Sequence, residues 1–202
     1  MKNKKPREAI ILSPTQATFI LGAAVKSEDW TVLSFLVLSL FAGIRPMEFR
    51  KKPKGAPTAY LEWSDVQLTG VCVPPKMAKG GLPRGDLPLP VLREWLEFIR
   101  EKRGELSGPI LKAGKRGGGW RDHWEAFLAA HWPDPWNPDQ LRHSFGSYRM
   151  AATKNADKVS HEMGNSPGIV LEHYWNWKTQ TAQARVFWAL TPSVVMADES
   201  LF

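Results

Sequence analysis

The segment TVLSFLVLSLF, residues 31–41, constrains this chain more than any other stretch. Only a threonine and two serines interrupt its apolar side chains. A helix that is apolar all round has to be buried. A bilayer span needs about 20 residues and this run has only about a dozen. It therefore reads as a helix inside a globule, running from about Glu28 to Phe41 and stopped by Gly43. The chain has the material to enclose it: 202 residues, 43% hydrophobic and 11% aromatic, suit one domain with a substantial core. A core rich in aromatics accounts for most of the ten tryptophans. The basic start MKNKKPREAI is followed by polar SPTQ and not by an apolar h-region, so it is not a signal peptide. The single Cys72 excludes an intramolecular disulfide and fits a reducing compartment. Within GVCVPP it reads as a small buried side chain. The expectation is a soluble intracellular protein.

Local signals place further helices around the first. Ser13, Pro14 and Gln16 supply the cap, the first helical residue and the capping-box partner of a helix ending near residue 26. Apolar spacing predicts helices at 90–103 and at about 119–131, 138–153, 156–164, 167–175 and 178–189. Between residues 59 and 90 the pattern changes. AYLEW, VQLTGVCVPP and GDLPLP are short apolar or alternating runs broken by Gly and Pro. They read as a small antiparallel sheet with a tight connection near Thr69-Gly70 and a longer loop over KMAKGGLPRG. Residues 1–8 read as a loose basic tail and 112–119, KAGKRGGG, as a flexible basic loop; VVMADESLF has no firm assignment. The expected class is mainly α with a small antiparallel β-sheet (α+β), a single domain over residues 1–202 with a C-terminal helix and tail at about 178–202.

Lys and Arg number 27 against 20 Asp and Glu, a net charge of +7 and a pI near 9.6. That balance suits a nucleic-acid partner without demanding one. Several residues are candidates for handling a phosphate. Arg45, in GIRPMEF, follows a helix-ending Gly and precedes Pro46, which holds its backbone in a non-helical turn. Glu48 is placed to brace its guanidinium. Lys79, in KMAKGGLPRGDLPL, sits on a Gly-rich hairpin whose tip can swing onto a phosphate, flanked by Lys76 and Arg84. In WNPDQLRHSFGSY, Asn137, Pro138 and Gln140 fall at N-cap, N1 and N3, which makes Asp139 an N2 carboxylate complementing the helix dipole. Arg142 shares its face, while Leu141, Phe145 and Tyr148 form the opposite, buried face, so Arg142 and Asp139 are expected to point away from the core. In MGNSPGIVLEHYWNW, Gly164 closes one helix, Ser166-Pro167 opens the next, and Tyr174 ends it, nine residues after Asn165. Taken singly, these features read more readily as a surface charge, a solvated turn or a core tyrosine. The five histidines form no ligand-like cluster, and HWEAFLAAH has the wrong spacing for a zinc helix. No metal and no cofactor are expected.

The order of these motifs is specific. An Arg in GxRPxE, a Lys on a β-hairpin, LRHSF opening a helix, then MGNS and HY resemble the tyrosine recombinase (phage integrase) family over residues 10–190 or so. The family pattern is Arg, Lys, His-x-x-Arg, a Gly-His/Trp motif and then Tyr. The resemblance implies the tyrosine recombinase catalytic-domain fold, without the N-terminal core-binding domain that completes a clamp around DNA in the family. It implies double-stranded DNA as the partner and a site of Arg45, Lys79, Asp139, Arg142, Asn165 and Tyr174. Tyr174 would attack a phosphodiester to form a 3′-phosphotyrosyl link and release a 5′-hydroxyl. The arginine forks would hold the phosphate oxygens and Lys79 would protonate the leaving oxygen. A second strand's hydroxyl would reverse the step, so bond energy is conserved. Glu48 and His143 stand behind these groups, His143 chiefly as a structural residue. Lys76, Arg84, Lys115, Arg116 and Arg149 are candidate contacts to DNA phosphates, with solvated charge as the alternative. The family also implies a bacterial, phage or mobile-element source, a cytoplasmic location and a tetramer on DNA. In that tetramer TAQARVFWAL docks into a neighbour; packing onto its own core is the alternative.

The chain departs from the pattern twice: Asp139 stands where the family has histidine, and Asn165 where it has histidine or tryptophan. Asn165 can still donate to a phosphate oxygen. A carboxylate about 5 Å from the phosphate costs roughly 3 kcal/mol at an effective dielectric near 20. Asp139 has three readings: it orients Arg142, it takes the tyrosine proton in place of histidine, or it marks a weakened site. Three functions follow: a site-specific recombinase or integrase, a topoisomerase-like nicking and resealing activity, and a DNA-binding module without chemistry.

Overall fold

The computed structural model describes residues 9–51, 57–68, 70–78, 84, 89–104, 106–111, 119–174 and 181–198. Helix α1 (Pro14–Lys26) opens on the expected capping box: the Gln16 backbone N–H donates to Ser13 Oγ at 3.1 Å and the Ser13 N–H to Gln16 Oε1 at 2.9 Å. The apolar segment is α2 (Trp30–Phe41), buried at every residue from Val32 to Phe41. It starts at Trp30 and not at Glu28, because Glu28 turns left-handed (φ 52°) and Asp29 caps the helix by accepting from the Val32 N–H at 3.0 Å. It stops at Gly43, whose φ of +62° suits glycine; a Cβ there would also lie 2.7 Å from the Phe145 ring.

The short helix α3 (Pro46–Phe49) runs directly into β1 (Arg50–Lys51), which pairs antiparallel with β2 (Ala59–Tyr60). A 3₁₀ turn over Trp63–Asp65 follows, then the hairpin β3 (Val66–Gln67) and β4 (Gly70–Val71). Among the described residues the antiparallel structure is thus two separate ladders. The 3₁₀ turn interrupts the strand run, and Pro74 and Pro75 lack the N–H groups that a longer ladder requires. Isolated antiparallel bridges join Glu62 to Pro109 and Val73 to Arg84. Cys72 is exposed, contrary to expectation. Val71 and Val73 take the inward positions, and alternation along an extended segment turns the residue between them outward.

Helix α4 (Pro90–Arg103) buries Val91, Leu92, Trp95, Leu96 and Ile99, one face at helical spacing. Beyond it come α5 (Trp120–His131), α6 (Gln140–Thr153), α7 (Ala156–Met163), α8 (Pro167–Tyr174), α9 (Thr181–Phe187) and α10 (Pro192–Met196). Helix α2 packs against α1, α4 and α6, and α6 in turn against α7, α8 and α9. One hydrophobic cluster runs through all of these layers. Trp63 and Trp95 are buried in it, and Trp30, Trp120, Trp124, Trp132, Trp136 and Trp188 pack onto it. The C-terminal segment covers its own core: Phe187 lies 4.3 Å from the Tyr148 ring and 5.4 Å from Phe41, and Trp95 Nε1 donates to the Leu190 carbonyl at 2.7 Å. The first three residues of the tail VVMADESLF, 194–196, complete α10, which is capped by Thr191 with Pro192 at its first position. Among the described residues no helix is long and apolar enough to cross a membrane.

Candidate functional site

The site is a set of arginines that share acceptors. Arg45 is the N-cap of α3, and Glu48 is that helix's third residue. Glu48 Oε2 accepts from the Arg45 backbone N–H at 2.8 Å, and Oε1 accepts from Arg45 Nη1 at 3.2 Å. The local turn set by Arg45-Pro46 therefore aims both the backbone and the side chain of Arg45 at one carboxylate. Glu48 is fully buried and receives a second fork from Arg84, at 2.7 Å and 2.5 Å. Burial pushes the Glu48 carboxyl up, but Arg84, the Arg45 N–H and the Arg142 charge outweigh it and hold the carboxyl below its ordinary range.

Arg142 is only 4% exposed. It does not point away from the core, and it is not paired with Asp139. Its guanidinium donates to the Gly43 carbonyl at the end of α2 and, at 2.6 Å, to the Met163 carbonyl at the end of α7. The Met163 oxygen is a terminal helix carbonyl that needs an outside donor, and the Gly43 oxygen lies in the turn just past the Ala42 cap of α2. Other arginines share them: Arg84 reaches Gly43 O at 3.3 Å and Arg45 reaches Met163 O at 3.4 Å. The Asn165 side-chain oxygen accepts from Arg45 and also, at 3.4 Å, from Arg142. Asn165 is held by its own N–H, which donates to Ser160 O at 2.9 Å around the left-handed Gly164. With its oxygen turned to the arginines, its amide N–H₂ remains the donor. Among the described residues, Arg45 and Arg84 pair with the Glu48 carboxylate, and the Arg142 charge also acts on it. Burial, and then the charges of Arg45 and Arg84, lower the Arg142 pKa to about 9; Tyr174 and Glu48 raise it. An arrangement with this surplus of positive charge favours an added anion.

Tyr174 ends α8 and is 3% exposed. Its ring lies directly on α6 at Gly146, where a Cβ would fall 2.6 Å from Cζ. Its hydroxyl is 3.2 Å from His143 Nδ1. His143 and Gly146 lie three apart on α6, so they share a face, and the ring that rests on Gly146 brings its oxygen to His143. Burial holds the Tyr174 pKa up and Asp139 adds to this, while Arg142 and Arg45 pull it down. Burial likewise lowers the His143 pKa, assisted by His173 and Arg142 and opposed by Asp139.

Asp139 is the N-cap of α6 and not its N2 residue; it is exposed, and its side chain makes no cap bond. Of the box expected at Asn137, only the bond back from Gln140 forms, ahead of α6; the Gln140 N–H goes to the Asn137 backbone carbonyl and not to its side chain. Asn137 Oδ1 accepts from the Asp139 N–H at 3.2 Å, and Gln140 Oε1 from the Asn137 N–H at 3.4 Å.

Two candidate DNA contacts have other partners. Arg84 is buried on Glu48, where its isolated bridge with Val73 sets its backbone. Arg149 forms a bidentate pair with Glu162 of α7 at 2.8 Å and 2.7 Å. Lys76 is exposed. Lys79, Lys115 and Arg116 lie outside the described residues. Sequence reasoning passed over Arg84 as a partner of Glu48, and Gly146. A glycine inside a helix was the available signal for the second. Among the described residues no group of three or more His, Cys, Asp or Glu is placed to hold a metal ion.

No protein-family model matches this sequence, and no curated protein matches it. Solved structures do resemble it. The crystal structure of XerA recombinase aligns with a TM-score of 0.57 and 17% identity, over 95% of this chain and 64% of that one. XerH site-specific recombinase, bound to palindromic difH substrate in a post-cleavage complex, aligns with a TM-score of 0.57 and 15% identity, over 93% of this chain and 54% of that one. The chain spans less than two thirds of the length of each. At such identities the likeness is one of fold: the helical layers and small antiparallel ladders around the arginine cluster are those of the tyrosine recombinase catalytic domain.

Proposed function

We propose that this chain is the catalytic domain of a site-specific DNA recombinase that breaks and rejoins strands through a 3′-phosphotyrosyl link on Tyr174. One observation carries the reading: Arg45 and Arg142 converge on Asn165 Oδ1 and Met163 O, close enough to Tyr174 that both lower its proton affinity. A phosphodiester seated against the two forks would bring its phosphorus to the tyrosine oxygen, and the guanidiniums would take up the charge that builds on the phosphorane. Attack by the tyrosine oxygen forms the phosphotyrosyl bond as the bond to the 5′-oxygen breaks. Lys79 is assigned the proton for that oxygen on the family resemblance alone. Double-stranded DNA is the partner in this reading, and self-association on DNA would bring two such sites together for exchange.

Covalent trapping tests it. The protein is mixed with nicked duplexes of random sequence, denatured in SDS and examined for protein-linked DNA, with Tyr174→Phe in parallel. A Tyr174-dependent adduct is expected, and sequencing the captured DNA reports the target. No adduct, with a salt-sensitive gel shift retained, would replace this reading with a DNA-binding module that has no chemistry.

A further inference from the structure

We infer that His143 is the catalytic base of this site, accepting the Tyr174 hydroxyl proton at Nδ1, and that Asp139 is the charge that supports the resulting imidazolium. The inference rests on the function proposed above and assigns the proton step within it. Asp139, at the position where histidine stands in the family, is exposed and has no side-chain bond to its own helix end. The group that touches the tyrosine oxygen comes one helical turn later: His143 Nδ1, at 3.2 Å. Two features fix this contact. The His143 N–H donates to the Asp139 carbonyl at 2.8 Å in the first turn of α6, which sets the backbone of the histidine. Gly146, three residues on, lets the tyrosine ring lie against the same face.

The histidine is suited to begin neutral. It is half-buried, and the charges facing it are Asp139 and Arg142 from its own helix and His173 from α8; Arg45 also faces the tyrosine oxygen. With Nε2 carrying the ring proton, Nδ1 presents a lone pair to the hydroxyl. In the forward step the Tyr174 O–H bond breaks and its proton passes to Nδ1. The oxygen's electron pair forms the bond to phosphorus, and the pair of the P–O5′ bond leaves with the 5′-oxygen. In rejoining, the imidazolium returns that proton as the tyrosine departs. Asp139 and His143 are four apart on one helix, so the carboxylate faces the cation that forms.

The test is single-turnover formation of the Tyr174 adduct at saturating protein, followed against pH, on the trapping substrate and on one with a 5′-bridging phosphorothiolate. His143→Asn keeps an oxygen or nitrogen near the Nδ1 position but cannot carry the proton. The expected result is a wild-type rate that falls on the acid side below 6.5, where His143 titrates. His143→Asn should be about 100- to 10000-fold slower and lack that limb. The sulfur leaving group should not restore it, because sulfur relieves loss of an acid and not of a base. Asp139→Asn should shift the wild-type limb to lower pH, since Asp139 raises the His143 pKa. Asp139 is exposed, so this second variant serves even where His143→Asn fails to fold. A wild-type adduct with His143→Asn within threefold and the same limb, restoration by the phosphorothiolate, or an unmoved limb in Asp139→Asn would each overturn the assignment. Absence of any wild-type adduct would instead sink the function on which it rests.

Discussion

Gly146 shows how much the site depends on a single missing methyl group. A methyl at that position would fall 2.6 Å from Tyr174 Cζ, so the ring has to move. Gly146→Ala gains helix propensity of up to about 1 kcal/mol and loses about 1–3 kcal/mol to overpacking, a modest net change in stability. Its effect on chemistry should be larger, because a displacement of about 1 Å at the nucleophile costs on the order of 100-fold. Adduct formation slowed by that factor, with a melting temperature within a few degrees of wild type, is the expected outcome. Glu48 has the opposite role, as the carboxylate that pairs with Arg45 and Arg84 and lowers the positive charge beside Arg142. Glu48→Gln leaves those charges unbalanced in a buried place and should cost about 3–5 kcal/mol in urea unfolding. The pH dependence follows from the sign of the shift. The folded Glu48 pKa lies below the ordinary 4.5, so its contribution is fully present above 4.5 and is lost as pH falls through the folded value. Acid unfolding that begins below 4.5 in the wild type should lose this component in Glu48→Gln.

At the scale of elements, the end of α7 matters most. It supplies the Met163 carbonyl and leads straight into Asn165, so the arginine cluster is only as well placed as α7 is on α6. The bidentate Arg149–Glu162 pair joins these two helices and is largely shielded from solvent. Charge-assisted bonds of this kind are worth about 1.5–3 kcal/mol. A double-mutant cycle with Arg149→Met and Glu162→Gln should return a coupling of about 1–3 kcal/mol. In the sequence Arg149 is a candidate DNA contact with solvated charge as the alternative; its place between two helices predicts that Arg149→Met lowers stability without a matching change in the salt dependence of DNA binding. A steep loss of that salt dependence would return Arg149 to the DNA surface.

At the scale of the whole molecule, the cluster exists only when distant parts of the chain meet: the end of α2 and α3, Arg84, α6, and the α7–α8 connection. An anion bound there should therefore stabilise the native state and not the unfolded one. Sulfate at about 100 times its dissociation constant adds about 2.7 kcal/mol. Sulfate should raise the melting temperature of the wild type beyond the effect of equal ionic strength of chloride, and Arg142→Ala should abolish the excess. Equal stabilisation of both proteins would count against a built anion site.

The sequence by itself determined the longer helices, because their signals act within one turn: Ser13 and Gln16 close a box, Gly43 ends α2, and α4 runs from Pro90 to Arg103 as its spacing indicates, whereas the short α3 and α10 gave no periodicity to read. It also determined the order in which Arg45, Arg142, Asn165 and Tyr174 appear, and the apolar α2 that everything else encloses. Only the tertiary structure decided which charges face inward. A basic residue on a helix looks the same in sequence whether it meets solvent, a carboxylate or a carbonyl. Arg142 finds Met163 21 residues away, Arg45 finds Asn165 120 residues away, and Arg84 reaches back 36 residues to Glu48. The same holds for His143, which lies next to Arg142 in the chain and yet touches Tyr174 31 residues away. A buried polar group must find a partner, and the partner nearest in space is set by how the helices stack and not by what lies beside it in the chain.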